Sequence, residues 1–321
     1  MPLNRRVLLR GLLGSFGLTM PTLGHSSDDM VVIVSSDASA AYAEAAQAAL
    51  EALQRSGLSR YDIRQMTAAE LAEAHRAGSA PQPRVFLALG SQAVEVLAQD
   101  TAAWQLVPVL CALVPRGSFE RIARQRNPKA ANRFSAIYLD QPWRRQLALI
   151  RLALPQAQRL GVLWGPESVA RATALRSLAK SEGFSLAEAQ VEPQQGIFVA
   201  LKQVLDAGDA LLAVPDALVY NSNSIQSILL AAMRKLVPVV AFSPAYVRAG
   251  ALMALYQTPT QAGQQAAGLL LDVLRGRSLP AIPIESSDFE VGVNRHVASA
   301  LNLDLDPQAL RLALRRQEHL P

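Results

Sequence analysis

Eight residues have the type and placement to hold a ligand by hydrogen bonds and ring stacking: Ser36, Ser91, Gln92, Glu167, Ser168, Asp216, Tyr220 and Ser243. They follow short apolar runs. Ser36 follows Met30–Ser35 (MVVIVS), Ser91-Gln92 follow Arg84–Leu89 (RVFLAL), and Glu167-Ser168 follow Arg159–Trp164 (RLGVLW). Asp216 and Tyr220 follow Ala210–Val214 (ALLAV), and Ser243 follows Val237–Phe242 (VPVVAF). Hydroxyls and amides both donate and accept, carboxylates accept or pair with a cation, and a tyrosine offers a flat face. The chemistry this set supports is recognition rather than bond making. Ser36, Ser91, Ser168 and Asp216 are equally good helix N-caps, and capping alone accounts for any one of them. Tyr42 and Tyr220 fit a core as well as a ligand, and Asp140 and Glu167 fit solvent. The grouping after apolar runs carries the reading, with Arg116 the only cation so placed.

Catalytic strings are missing. No Gly-x-Gly-x-x-Gly, Walker loop, Gly-x-Ser-x-Gly or His-Glu-x-x-His occurs in the part of the chain beyond residue 29. His25, His75, His296 and His319 all lie away from the ends of those runs, so a hydrolase triad has no base. The single cysteine, Cys111, excludes an internal disulfide and reads as a core residue. No ligand-spaced cluster calls for a metal, and no cofactor is expected.

The elements that must position these residues alternate. Beyond the runs already named, Tyr61–Met66, Val107–Leu110, Phe134–Leu139, Phe184–Val191 and Ala251–Tyr256 read as strands. Ala38–Arg55, Ala68–Arg76, Ser91–Ala98, Gln141–Leu154, Ser168–Glu182, Gly196–Ala207, Val219–Lys235 and Gln261–Leu274 read as helices. Continuous rather than alternating apolar runs mean strands buried on both faces. With helices between them, they predict α/β architecture: doubly wound parallel sheets whose ligand side lies beyond the strand C-termini. The unit strand, turn, helix, Val-Pro-Val occurs at Arg84–Leu110 and again at Ala210–Val240, which predicts two similar lobes.

Composition sets the outer limits. The chain has 321 residues, 50% hydrophobic and 18% charged, which suits two folded domains and not disorder. The net charge of +5 owes three units to Arg5, Arg6 and Arg10. No aromatic-interleaved basic stripe appears, so nucleic acid is not an expected partner. Residues 1–29 read as a signal peptide: a cationic start, an uncharged Gly11–Gly24 stretch and a small-residue exit. Arg5-Arg6, Leu9 and Arg10 fit a twin-arginine export signal, whereas Asn4 and Leu8 depart from it, leaving the Sec route open. No cysteine follows to take a lipid. The expected compartment is the periplasm.

The stretch Ala210-Leu-Leu-Ala-Val-Pro-Asp216, Pro238-Val-Val and Val247-Arg-Ala-Gly-Ala-Leu252 resembles the substrate-binding proteins of ABC transporters. So do Gly263, Leu274-Arg-Gly-Arg-Ser-Leu-Pro280 and Val293-Asn294 with Ala298 and Leu301. The branch it resembles has the type I periplasmic-binding-protein fold and includes tryptophan- and tyrosine-binding members. The resemblance implies a monomeric Venus flytrap that closes on a small molecule and presents it to an inner-membrane permease or a sensor. Lobe 1 is then expected from 30–138 plus about 258–285, and lobe 2 from 139–257 plus about 286–321. Hinges are expected near Leu139, Ser243–Ala245 and Gln257–Pro259. Ser36 and Ser91 would serve from the first lobe, and Glu167, Asp216 and Tyr220 from the second. A sensor or outer-membrane uptake partner is one alternative role. A periplasmic α/β enzyme using Asp140, Glu167 or Asp216 is another. A transcription regulator is disfavoured, since its helix-turn-helix would occupy the place of the export signal.

Overall fold

The computed structural model describes residues 31–99, 104–125, 133–192, 194 and 196–318. The signal-peptide expectation for 1–29 lies outside the described residues. The first half runs β1 (Val31–Ser35), α1 (Ala40–Arg55), β2 (Ile63–Thr67), α2 (Ala68–Arg76), β3 (Val85–Leu89) and α3 (Ser91–Ala98). It continues with β4 (Val109–Val114), α4 (Arg116–Arg124) and β5 (Phe134–Tyr138). The five strands form one parallel sheet in the order β2-β1-β3-β4-β5.

The second half continues with α5 (Trp143–Ala153), β6 (Arg159–Trp164), α6 (Ala172–Ser181), β7 (Ser185–Gln190), α7 (Ile197–Ala207) and β8 (Ala210–Leu212). Then come α8 (Ile225–Arg234), β9 (Val239–Ala241), α9 (Pro244–Ala249), β10 (Met253–Tyr256), α10 (Pro259–Leu274), β11 (Glu290–Val293), α11 (Arg295–Ala300) and α12 (Pro307–Glu318). Its sheet has the order β11-β10-β9-β8-β6-β7. The architecture is two α/β lobes.

Burial explains why these runs are strands. Val31 and Ile33 face one side of the first sheet with Val85, Leu87 and Leu110, under α1 and α10. Val32 and Val34 face the other with Phe86, Val109 and Cys111, under α2, α3 and α4. The second sheet divides likewise, with Leu160, Val162 and Leu212 on one face and Leu163, Leu211 and Val239 on the other. A strand apolar on both sides can only sit between two helical layers.

The chain passes between lobes three times. Residues 139–142 lead from β5 to α5, and 257–258 lead from β10 back to α10, which packs on α1 in the first lobe. Residues 285–289 lead from Ile284, bridged to Ile137 of β5, out to β11. The α10–α1 contact is close because Gly263 has no side chain: a Cβ there would lie 2.2 Å from the Ala45 carbonyl oxygen. At the far end α12 packs on α5 and β11, and Arg311 pairs with Glu290 at 2.9 Å.

Four sequence expectations need correcting. The sheets are not wholly parallel, since β11 runs antiparallel to β10. Ser243–Ala245 is not a crossing: it joins β9 to α9 inside the second lobe, and the third crossing is 285–289. The helix expected from Val219 starts at Ile225, because Asp216, Asn221 and Ser224 tie residues 216–224 into side-chain-bonded turns. The helix expected from Ser168 begins as a 3-10 turn at Val169–Arg171 before α6. None of the described helices is long and apolar enough to cross a membrane.

Candidate functional site

The C-terminal ends of both sheets face the space between the lobes, as parallel strands followed by helices require. One flank of this cleft holds a cavity of about 600 Å³. Asp37, Ser39, Tyr42 and Leu113 line it from the first lobe, and Phe242, Ser243, Tyr246, Arg248 and Tyr256 from the second. Leu139 and Gln257, on two of the crossings, also line it.

Local chemistry fixes each of these groups. Asp37 accepts from the Ser39 amide at 2.8 Å, shaping the turn into α1. Tyr42, in the first turn of α1, brings its hydroxyl beside Ser36 over Gly90, and burial raises its phenol pKa. Ser243 caps α9 by accepting from the Ala245 amide at 3.2 Å, with Pro244 opening the helix. Phe242 meets Tyr246 edge-on at 5.0 Å, and Tyr246 donates to the Tyr220 carbonyl at 3.1 Å. Burial also raises the pKa of Tyr246. Tyr256 is raised by burial and by Glu290, against the opposing effect of Arg248. These phenols are therefore neutral donors at ordinary pH. Arg248 is exposed and makes no ion pair with any described residue. The arrangement offers aromatic faces, a free cation and a partly engaged carboxylate to one small guest.

Of the eight residues expected from sequence, Ser243 lines this cavity. Ser36 reaches it through Tyr42. Its own hydroxyl donates to the Leu89 carbonyl and accepts from the Ala93 amide, both at 3.0 Å, stitching β1 to the start of α3. Ser91 is the first residue of α3 and partly buried, Gln92 is exposed, and neither lines the cavity. Tyr220 is buried behind the wall, its ring edge-on to Phe242 at 5.9 Å. Its hydroxyl has no hydrogen-bond partner among the described residues, and burial raises its pKa.

Glu167, Ser168 and Asp216 come together on the other flank. The buried Asp216 carboxylate accepts from the amides of Glu167 (3.0 Å), Ser168 (2.9 Å) and Leu218 (3.0 Å) and from the Ser168 hydroxyl (2.9 Å). Ser168 in turn accepts from the Gly165 amide at 2.9 Å. Glu167 accepts from Ser118 and Arg121, across the cleft on α4. Asp140 accepts from the Arg116 amide at 2.6 Å, pairs with Arg171, and is buried. The Arg171 guanidinium lies 4.2 Å over the Trp143 ring.

Sequence reasoning missed Phe242, Tyr246, Arg248 and Tyr256. A Ser-Pro pair just after an apolar run marks a helix start. With Phe242 and Tyr246 four residues apart, that signal was present at Ser243-Pro244.

The family model for ABC transporter substrate binding proteins matches residues 29–316. A tyrosine-binding protein of Clostridioides difficile (strain R20291) is 25% identical over 161 residues, 49% of this chain. That match spans only 46% of the relative's length. Among solved structures, the Streptococcus pneumonia ABC domain in complex with L-Trp has a TM-score of 0.60 at 15% identity, covering 87% of this chain and 97% of that one. The ligand-free, open structure of a substrate-binding protein with adhesive properties from Clostridium difficile has a TM-score of 0.64 at 17% identity, covering 87% and 96%. These neighbours share the two-lobed fold, and they are solute-binding proteins rather than enzymes. The chain belongs to the ABC transporter substrate-binding protein family.

Proposed function

We propose that this protein is exported to the periplasm and captures an aromatic amino acid between its lobes for delivery to an ABC importer. One observation carries the ligand class: the cavity of about 600 Å³ brings Tyr42, Phe242, Tyr246 and Tyr256 together with Asp37 and Arg248. Aromatic walls suit a flat side chain, Arg248 suits a carboxylate, and Asp37 suits an ammonium group. The tyrosine-binding relative supports the same class. A guest touching both walls at once binds best when the lobes are closed, so binding shifts the population toward closure. Leu139, Gln257–Thr258 and residues 285–289 are the hinge segments on this reading, and 30–138 with 258–285 form the first lobe.

Thermal-shift measurement with L-tyrosine, L-tryptophan, ribose and acetate tests it. A guest at about 100 times its dissociation constant stabilises by about 2.7 kcal/mol, a rise of several degrees. Stabilisation by the two aromatic amino acids alone is the expected result. A response to ribose without one to either amino acid overturns the assignment.

A further inference from the structure

One flank of the cleft is fastened by the protein's own side chains. Glu167, in the turn after β6, reaches across to α4. Its Oε2 accepts from Ser118 Oγ at 3.0 Å and its Oε1 from Arg121 Nε at 2.9 Å. The Glu167 side chain is 17% exposed, so this pair is screened less than a surface one. Arg121 is held from its other side by Glu95 at 3.0 Å, and these two carboxylates raise its pKa. The Glu167 amide is in turn fixed by the buried Asp216 carboxylate. Both ends of the contact are therefore positioned before they meet.

Shape adds to charge at the same place. Gly117, the second residue of α4, lies so close to the opposite lobe that a Cβ there would be 2.4 Å from the Glu167 carbonyl oxygen. Its backbone is helical, and alanine is the better helix former, so turn geometry does not call for glycine here. Close approach of the lobes does.

We propose that Gly117, Ser118 and Arg121 of the first lobe and Glu167 of the second form a latch that closes this flank without any ligand. The proposal rests on the two-lobe capture reading and adds its regulation. Ligand meets a protein already biased toward its closed form, and the cavity flank is where it gains access. Apparent affinity scales with the fraction of binding-competent protein, so a closed bias tightens binding by removing part of the closing cost.

Small-angle X-ray scattering of the ligand-free protein tests the latch directly. Glu167→Gln, Arg121→Gln and Gly117→Ala are each expected to increase the radius of gyration while cooperative melting is retained. Gly117→Ala keeps every charge and favours the helix, so expansion there reports a wedge between lobes and not a damaged one. About 0.5 M NaCl should expand the wild-type protein toward Glu167→Gln and leave that variant unchanged. With L-tyrosine as the probe, Glu167→Gln should bind about three- to tenfold more weakly. Scattering curves of Glu167→Gln and Gly117→Ala that superimpose on wild type overturn the latch. Failure of L-tyrosine to bind any form counts against the capture reading alone, because scattering decides the latch without ligand.

Discussion

The two flanks of the cleft are built from the same parts, turns and helix starts after parallel strands, and use them oppositely. On the α4 flank the carboxylates of Asp140, Glu167 and Asp216 are all taken up by amides, hydroxyls and guanidinium groups of the protein. On the α9 flank Arg248 has no ion-pair partner among the described residues, and Asp37 accepts one local amide. The difference shows how to read a polar residue at a strand end. Its position says that it faces the cleft, but only its remaining hydrogen-bonding capacity says whether a guest can use it. A fully occupied carboxylate shapes the site, and a partly occupied one is available to it.

The sharpest way to break the contrast is Asp216→Ala. It leaves three amides and a hydroxyl without their acceptor, and should cost about 3 kcal/mol, a fall in Tm of about 6–12 °C. Urea and thermal unfolding measure it. On the cavity flank Arg248→Ala should do the reverse. Stability is expected within about 0.5 kcal/mol of wild type, while calorimetric titration with L-tyrosine shows about tenfold weaker binding. Equal damage to stability in both variants would erase the distinction.

Tyr220→Phe sharpens it further, because the deleted hydroxyl is buried and has no partner among the described residues. Removal should leave stability unchanged or raise it by up to about 1 kcal/mol. The subtlest effect is alkaline. Tyr138, beneath Arg116 and Phe119 on the fastened flank, has its pKa pushed up to about 12, chiefly by burial. The unfolded phenol ionises near pH 10 and so binds fewer protons above it than the folded one. Its contribution to stability is thus complete below about pH 10 and declines as pH rises toward about 12. Phenolate absorbance together with unfolding curves across that range follows it.

Much of the fold is legible in the sequence because β1, β3, β4 and β6 are apolar on both faces and a helix with a buried apolar side follows each of them. The weak spots are short or polar elements. Six-residue α9 hides behind Ser243-Pro244, and missing it turned an internal turn into an expected hinge. β11 is four residues, EVGV, too short to declare its antiparallel pairing. The site was half legible. Strand ends located the cleft, and Ser243 lines the cavity. Whether Glu167 or Asp216 points at a guest or at the protein depends on α4 and on the turn 216–218, which are distant from them or locally irregular. Tyr246 and Arg248 emerge only once α9 is known to exist.

The return of α10 to the first lobe has a consequence for how the protein can be made. Val31, Ile33, Leu87 and Leu110 depend for cover on a helix that ends at Leu274, packed on α1 through Gly263. A chain emerging from its N-terminus therefore carries five strands of which one face is covered by α1 alone until α10 has appeared. Contacts so distant along the chain form slowly, since a large loop must close before they are rewarded. Packing of the first lobe is thus finished only after β6 to β10 of the second lobe have been made, so the two lobes are interleaved in the order of synthesis.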